Sequence, residues 1–330
     1  MIEVLETPPL NTMQDLGRVG YRCHGIGRGG VMDRVALAAG NALLGNDDGE
    51  AGLEFQLFPV RLRFTRPTAF AVTGAPCEAR LAGRRLPPWW ATRAQAGDEL
   101  VLSAPRREMR AYLTVAGGFD VPAVLGSRST HLRDSFGGYH GRPLGAGDVL
   151  GTRAHEPFVF RDEAGLGATP AATALAAARC AGLAEGETVV RAIQAAEFES
   201  FDEASRTAFC DTPWKVTARS NRQGYSLSGT PLRRQALLEM RSHAIVPGVI
   251  QVPPSGQPLI QLADANSAGG YPKIGVVIEA DLWRIGQLPP GGRLRFVWCS
   301  LAEARAAEQE TDDYLATLRR LAGYCRKAVR

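Results

Sequence analysis

The alternation of apolar and polar residues predicts short strands in the first half of the chain. Ala69–Thr73 is a run of small and β-prone residues that ends at Gly74, and Ala111–Ala116 is a similar run that ends at two glycines. Glu78–Leu81 and Glu99–Ser103 each lie beside a turn signal that contains glycine. Short strands at this spacing favour a barrel or a sandwich over a βαβ sheet.

A different periodicity predicts one helix in this half, at Met32–Leu44. Four of its apolar side chains share one surface, and Gly45-Asn46 provides a stop signal.

The second half is again rich in strands. We predict a helix at Ala196–Phe209 and a C-terminal amphipathic helix at Leu301–Val329 that packs on a barrel. The predicted strands are Thr188–Ile193, Lys215–Ser220, Leu259–Leu262, Gly275–Ile278 and Arg293–Trp298.

A stretch of small residues separates the two strand-rich halves of the chain. The run ATPAATALAAA, with neighbouring Gly and Pro, is typical of a linker that is partly helical. A chain of 330 residues is long enough for two domains with separate cores. We therefore predict an N-terminal domain at 1–153, a linker at 154–186 and a C-terminal domain at 187–330.

Composition narrows the functional classes. The hydrophobic content of 45% and charged content of 22% are those of a soluble globular protein, and the net charge of +4 is spread too evenly for a nucleic-acid stripe. No secretory signal is visible, and no apolar run approaches the ~18 residues that span a membrane. The six cysteines are widely spaced, so we expect reduced thiols in a cytoplasmic protein. The five histidines lack ligand spacing, so no metal site is predicted.

The glycine-rich segments bear on phosphate chemistry. Gly25–Gly30 matches GxGxxG, but the segment before it is loop-like, so a glycine-rich turn is favoured over a dinucleotide fold. The amides of such a turn could still hold an anion. The chain contains no GxxxxGK[ST] loop and no GxSxG elbow.

Hydroxyl groups and a guanidinium are concentrated at Gly126–Thr130. Ser127, Arg128 and their neighbours could bind a carboxylate or a phosphate. The alternative is a polar turn with hydroxyl caps.

The stretch Ile250–Lys273 is rich in both proline and glycine, yet polar and apolar residues alternate through it. This mixture predicts a strand between two shaped turns, with polar groups at the turns. Asp264 and Lys273 bracket one of these turns. A buried lysine near an aspartate could orient a substrate carboxylate or stabilise an oxyanion, and the alternative is a structural ion pair.

Many separate motifs, in order along the chain from about residue 3 to residue 305, carry a family resemblance. The motifs are Gln14–Arg18 with Gly20-Tyr21, Gly30–Asp33, Asn41–Asn46, Leu53-Glu54, Val72–Ala75, Gly117–Phe119, Val124–Thr130, Gly248–Pro258, Gly269–Lys273 and Asp281–Trp283 with Gln287. On these motifs the chain resembles the biotin-dependent carboxyltransferase family, also called allophanate hydrolase subunit 2. This family includes the C component of bacterial ATP-dependent 5-oxoprolinases and the antagonist of a sporulation-kinase inhibitor.

The resemblance implies a mainly β chain of two cyclophilin-like β-barrel domains with a few helices. It also implies one component of an enzyme that acts with an allophanate hydrolase subunit 1-type partner (the B component) and a LamB/YcsF-type partner (the A component). The assembled complex would use ATP to open 5-oxoproline to glutamate. Two alternatives stay open: transfer of a carboxyl group from carboxybiotin, or a regulatory role that sequesters the subunit 1-type partner. The chain has no Met-Lys-Met carrier motif, so biotin is not expected to be attached to it.

The resemblance and the residue chemistry together give a set of site residues. Catalytic roles are predicted for Lys273, Asp264 and Arg222. Substrate contacts are predicted for Ser127, Arg128, Gln251, Gln257, Gly269, Gly270 and Tyr271. The chain departs from the usual family motifs at Asn221, Gln223, His243, Ala265, Asn266 and Ser267, which indicates a changed substrate, weakened activity or ordinary divergence in solvent-facing loops.

Overall fold

The structure, a computed structural model, describes residues 1–175, 186–235 and 240–328. These residues form two compact units, and each unit is built from segments that are not consecutive in the chain. The first unit comprises described residues 1–18, 29–175 and 311–328, and the second comprises 19–28, 186–235 and 240–310. A short N-terminal segment therefore belongs to the second unit.

The described residues are mainly β, as predicted. The strands are β1 (Ile2–Glu6), β2 (Thr12–Gln14), β3 (Gly52–Phe55), β4 (Val60–Phe64), β5 (Thr68–Gly74), β6 (Ala79–Leu81), β7 (Arg84–Leu86), β8 (Trp90–Ala94), β9 (Glu99–Leu102), β10 (Ala111–Val115), β11 (Val149–Leu150), β12 (Phe158–Phe160), β13 (Leu166–Gly167), β14 (Glu187–Gln194), β15 (Trp214–Val216), β16 (Gly224–Ser228), β17 (His243–Ala244), β18 (Val249–Gln251), β19 (Leu259–Gln261), β20 (Ala268–Gly269), β21 (Lys273–Val277), β22 (Arg293–Trp298) and β23 (Arg326–Ala328).

The helices are few. They are α1 (Arg34–Leu44), α2 (Ala171–Ala174), α3 (Glu203–Asp211), α4 (Leu282–Gly286) and α5 (Leu301–Cys325), with 3-10 turns at Arg22–His24, Phe198–Ser200 and Glu279–Asp281. Within the described ranges, no helix is both long and apolar enough to cross a bilayer.

Two six-stranded antiparallel sheets form the first unit, in the orders β11-β1-β4-β9-β6-β7 and β13-β8-β5-β10-β3-β2. Alternate residues of β4 are buried, which agrees with a strand that has one face on the core. By contrast, every residue of β5 and β10 is buried. These central strands are covered on both faces, which explains their continuous apolar character in the sequence.

Helix α1 contributes to that cover. The Asp33 carboxylate accepts a hydrogen bond from the Ala36 amide at 2.8 Å, so the helix begins at Arg34, two residues after the predicted start. Gly45 ends the helix with a φ of 79°, which favours glycine. Every residue from Val35 to Leu44 is buried, and the Thr73 hydroxyl donates to the Ala36 carbonyl at 2.7 Å.

The second unit is a closed barrel with the strand order β14-β21-β18-β19-β16-β15-β22. One parallel pairing, between β14 and β22, closes a barrel in which the other pairings are antiparallel. The barrel predicted for this half is therefore confirmed. Its core includes Phe209 stacked on Phe296, with ring centroids 4.3 Å apart.

The largest errors among the predicted boundaries of the second half concern three elements. Strand β15 ends at Val216 because a turn follows, in which the Ser220 amide donates to the Thr217 carbonyl at 3.1 Å. Helix α3 begins only at Glu203, since Asp202 caps it by accepting from the Ser205 amide at 2.7 Å. The C-terminal helix ends at Cys325 because the tail forms β23, which pairs with β12.

The predicted linker at 154–186 holds β12, β13 and α2 in its described part, and residues 176–185 lie outside the described residues. The domain limits 1–153 and 187–330 stay a prediction. The compact units differ from them, since 154–175 and 311–328 belong to the first unit.

Candidate functional site

Polar side chains are buried on three neighbouring strands of the closed barrel. Gln251 ends β18, Gln261 ends β19 and Lys273 begins β21, and each is less than a tenth exposed. Gln251 and Lys273 are register partners across β18 and β21. Together with Glu197 and His243, these three residues form what we call the Lys273 site.

The Lys273 ammonium has two polar neighbours. It contacts His243 Nε2 and lies 3.7 Å from Glu197 Oε2. The same carboxylate oxygen accepts a hydrogen bond from the Lys273 backbone amide at 3.2 Å. Since the Lys273 side chain is 10% exposed and that of Glu197 is 16% exposed, this pairing compensates for the cost of burying charge.

The proton on His243 can be placed from its other nitrogen. Nδ1 lies 3.0 Å from the Arg241 carbonyl oxygen, which can only accept, so Nδ1 carries the hydrogen and donates. In the neutral ring Nε2 then holds a lone pair, and the Lys273 ammonium donates to it. Strand β17 sets the position of the ring, because His243 pairs with Gly269 of β20.

The two glutamines form a chain of amides beside the lysine. Gln261 Nε2 donates to Gln251 Oε1 at 2.8 Å, and Gln251 Nε2 makes a long contact of 3.5 Å with the Tyr271 carbonyl. Gly269 lies directly over this amide, and a Cβ there would come within 2.6 Å of Gln251 Nε2. The predicted contact residue Gly269 therefore has a packing role that requires its missing side chain.

Arg222 and Asp264, both predicted as catalytic, bind each other. Arg222 donates through Nε to Asp264 Oδ2 at 2.8 Å and through Nη2 to Oδ1 at 3.2 Å. The Asp264 amide also donates to the Arg222 carbonyl at 3.0 Å. The expected partnership of Asp264 with Lys273 is thus corrected: the carboxylate paired with Lys273 is Glu197. The alternative of a structural ion pair between Asp264 and Lys273 is wrong for the same reason, since Asp264 is paired with Arg222.

The remaining predicted contact residues of the second unit differ in exposure and bonding. Gln257 is bonded to backbone, since its amide accepts from the Gly229 N–H at 2.9 Å and donates to the Gly229 carbonyl at 3.1 Å. Gly270 packs near Ser242, to whose Oγ an added Cβ would lie 3.4 Å away. Tyr271 is 46% exposed, and its contact with a ligand stays a prediction.

Ser127 and Arg128 belong to the first unit, where they surround Asp15. The Asp15 carboxylate accepts from the hydroxyls of Ser127 at 2.7 Å and Ser129 at 2.6 Å, and from the amides of Gly17 at 2.7 Å and Arg128 at 2.5 Å. The sequence left open whether this loop binds a ligand carboxylate or phosphate or is a polar turn with hydroxyl caps. In the structure its hydroxyls and amides bind Asp15 of the same chain, and we call this arrangement the Asp15 loop.

The glycine-rich turn at Gly25–Gly30 also has a structural role. Gly27 lies against the second unit's own loop, where an added Cβ would be 2.9 Å from the Ala265 carbonyl oxygen. Arg28 forms an ion pair with Glu279 at 3.6 Å.

Three residues of the Lys273 site were missed from the sequence. His243 was noted only as a departure from the family motif, and Gln261 only as one of the polar residues in the Ile250–Lys273 stretch. Nothing in the sequence indicated that Glu197 belongs to a site, because it lies within the predicted helix Ala196–Phe209. Its place in a turn between β14 and the 3-10 turn at Phe198–Ser200 is a tertiary feature.

Comparisons with known proteins bear on what this site does. A family model described as the carboxyltransferase domain, subdomain A and B, matches residues 24–298. The chain belongs to this family. It is 40% identical to the C subunit of the Escherichia coli K12 5-oxoprolinase over 318 residues, which cover 96% of this chain and 97% of that protein. It is 38% identical to the C subunit of the Haemophilus influenzae 5-oxoprolinase, with 97% of this chain and 98% of that protein covered.

Among solved structures, the chain is similar to the urea amidolyase of K. lactis. The TM-score is 0.84 at 29% identity over 96% of this chain. This chain spans only about a fifth of that much longer protein, 20% of its length. The likeness supports the mainly β architecture described above.

Proposed function

We propose that this protein is the C component of an ATP-dependent 5-oxoprolinase, an enzyme that opens the lactam of 5-oxoproline to give glutamate. The observation that carries this proposal is the 40% identity to the C subunit of a 5-oxoprolinase over nearly the full length of both proteins. The likeness to urea amidolyase covers a much smaller part of that protein, which favours the 5-oxoprolinase assignment.

In this proposal the Lys273 site contacts the substrate. 5-Oxoproline carries a carboxylate and a lactam amide, and the site offers a buried cation beside two glutamine amides. The ammonium has three N–H donors. One faces His243, and the Glu197 oxygen is 3.7 Å away, so among the described residues at least one N–H has no acceptor within hydrogen-bond distance. That donor can bind the carboxylate or the oxyanion that develops when the lactam is attacked.

The other predicted site residues have supporting roles in this proposal. The Arg222–Asp264 pair fixes the loop before Lys273, and Gln251 orients the lactam amide. Contacts of Ser127 and Arg128 with substrate stay a prediction, since the Ser127 hydroxyl and the Arg128 backbone amide bind Asp15 and Arg128 Nε donates to the Val121 carbonyl at 3.1 Å.

The proposal includes partners that this chain needs for turnover. We expect a B component of the allophanate hydrolase subunit 1 type and an A component of the LamB/YcsF type, with ATP used by the assembled complex. A cytoplasmic setting belongs to the same proposal and fits the cysteines of the described residues, which are unpaired.

Reconstitution tests the function. The chain is purified with its A-type and B-type partners, and glutamate formation from 5-oxoproline is measured with and without ATP. We expect ATP-dependent glutamate release only when all three proteins are present. A stable complex that forms no glutamate would contradict the proposal.

Carboxyl transfer is the second candidate, because the fold is also similar to that of a urea amidolyase. The same complex is offered a separately carboxylated biotin carrier and urea. Carboxylation of urea without turnover of 5-oxoproline would favour this second candidate over the first.

A further inference from the structure

His243 faces Lys273 from a different element of the second unit. It lies on β17, whereas Lys273 begins β21 and Glu197 follows β14. Three short segments thus bring together one ammonium, one carboxylate and one imidazole, the type of side chain whose unperturbed pKa lies closest to physiological pH. A carboxylate alone is enough to compensate the charge of a buried lysine, so the presence of the imidazole needs a separate explanation.

We propose that His243 is a positioning residue whose protonation releases the Lys273 ammonium from its place in the site. In the neutral ring Nδ1–H is fixed on the Arg241 carbonyl and Nε2 accepts from Lys273. An imidazolium has two donors and no lone pair, so it cannot accept from an ammonium. Protonation therefore converts an attraction into a repulsion between two cations.

Burial makes this repulsion effective. The Lys273 side chain is 10% exposed, and charges with little access to water are poorly screened. Among the described residues, the charged group paired with Lys273 is Glu197, whereas Asp264 is paired with Arg222. Glu197 can balance one of the two cations but not both. The ammonium is then expected to leave its position beside His243 and the glutamine amides.

The effect on catalysis rests on the proposed function, in which Lys273 contacts the substrate. Activity should then be lost as pH falls through the titration of His243. Below that point a single protonation predicts about a tenfold loss per pH unit.

Lysine NMR tests the proposal without any activity. The sequence has lysine only at Lys215, Lys273 and Lys327, so selective ¹³C-lysine labelling of the full chain gives three sets of signals. Lys→Arg variants assign them. We expect the Lys273 signal to move in a step at the pH where the His243 ring signals titrate, while Lys215 and Lys327 do not follow that step.

Two variants distinguish a role of His243 in positioning Lys273 from a role in packing alone. His243→Gln keeps an acceptor but cannot be protonated, so the Lys273 step and the acid loss of kcat/KM should both disappear. Glu197→Gln removes the balancing charge, so the step should move to lower pH. A Lys273 signal that does not change through the His243 titration, or a step that persists in His243→Gln, would overturn the proposal. If the assembled complex has no 5-oxoprolinase activity, the proposed function fails, but the NMR result still decides the role of His243.

Discussion

The Asp15 loop and the Lys273 site have similar chemistry in the sequence but opposite balances of donors and acceptors. One carboxylate in the Asp15 loop accepts from four donors, two hydroxyls and two amides. In the Lys273 site, one ammonium with three donors meets one imidazole acceptor and a more distant carboxylate. Among the described residues, the Asp15 carboxylate has four donors, whereas the Lys273 ammonium has at least one N–H with no acceptor within hydrogen-bond distance, which is why we propose that Lys273 and not Asp15 binds a ligand. The balance of partners, more than the number of polar residues, separates a structural loop from a candidate site.

The largest effect is expected from Lys273→Ala in the assembled complex. Removing a donor that stabilises developing charge typically lowers kcat by about 100-fold or more. Co-purification of the variant with its partners checks that the complex still assembles. Steady-state glutamate formation measures the effect, and Lys215→Ala, at an exposed lysine of the same unit, is the matched control. Equal activity of the two variants would remove Lys273 from the site.

The Asp15 loop should respond in stability. Asp15→Ala leaves the buried Ser127 and Ser129 hydroxyls without their acceptor, and we expect a loss of about 3 kcal/mol in the free energy of unfolding. Urea denaturation measures this. Asp134→Ala, at an exposed carboxylate of the same unit, should cost less than about 1 kcal/mol. Loss of activity in Asp15→Ala at full stability would instead assign the loop to the site.

A smaller effect concerns pH and the first unit. Burial, with a further contribution from Asp33, raises the pKa of Glu108 to about 7. The folded state therefore binds a proton more tightly than the unfolded state, and stability is lost as pH rises from about 4.5 towards 7. Glu108→Gln should remove this pH dependence. The free energy of unfolding at pH 8, relative to that at pH 5, should therefore be about 2 kcal/mol higher in the variant than in the unchanged protein.

Urea denaturation at the two pH values checks the Glu108 prediction. Glu163→Gln, at an exposed glutamate of the same unit, is the control and should leave the pH dependence unchanged. An unchanged pH dependence in Glu108→Gln would show that other groups cause it.

The smallest effect is expected at the Lys273 site from Gly269→Ala. The new methyl group would displace the Gln251 amide, a flexible side-chain end, so the free energy of unfolding should fall by only about 1 kcal/mol. The KM for 5-oxoproline should nevertheless rise, because Gln251 loses its position. Gly291→Ala, near which a Cβ would meet no atom, matches the change of side chain, although its φ of 89° adds strain. An unchanged KM in Gly269→Ala would remove Gln251 from the site.

The local sequence pattern predicted the helices and strands better than it predicted the residues of the candidate site. The strand at Arg293–Trp298 and the helix that ends before Gly45 follow from alternation and a stop signal, and the structure confirms both. The late start of α3 depended on which of several polar residues caps the helix. The strand that follows Cys325 could not be predicted, because its pairing with Phe158–Phe160 joins residues far apart in sequence.

The residues of the candidate site were harder to predict than the fold, because they come from distant parts of the chain. Lys273 and Gln251 were found because both lie in one unusual stretch of sequence. Glu197 and His243 come from elsewhere in the chain. The pairing of β14 with β21 brings Glu197 to Lys273, and the pairing of β17 with β20 brings His243 there. At Gly126–Thr130 the sequence left open a ligand site or a polar turn with hydroxyl caps, and no local pattern indicated that Asp15 would bind these hydroxyls.

The central claim is that the Lys273 ammonium contacts the substrate, and ligand titration of the ¹³C-lysine-labelled chain within the assembled complex tests it most directly. We expect added 5-oxoproline to shift the Lys273 signal in a saturable manner while the Lys215 and Lys327 signals stay in place. A complex that forms glutamate while the Lys273 signal does not move would contradict this account.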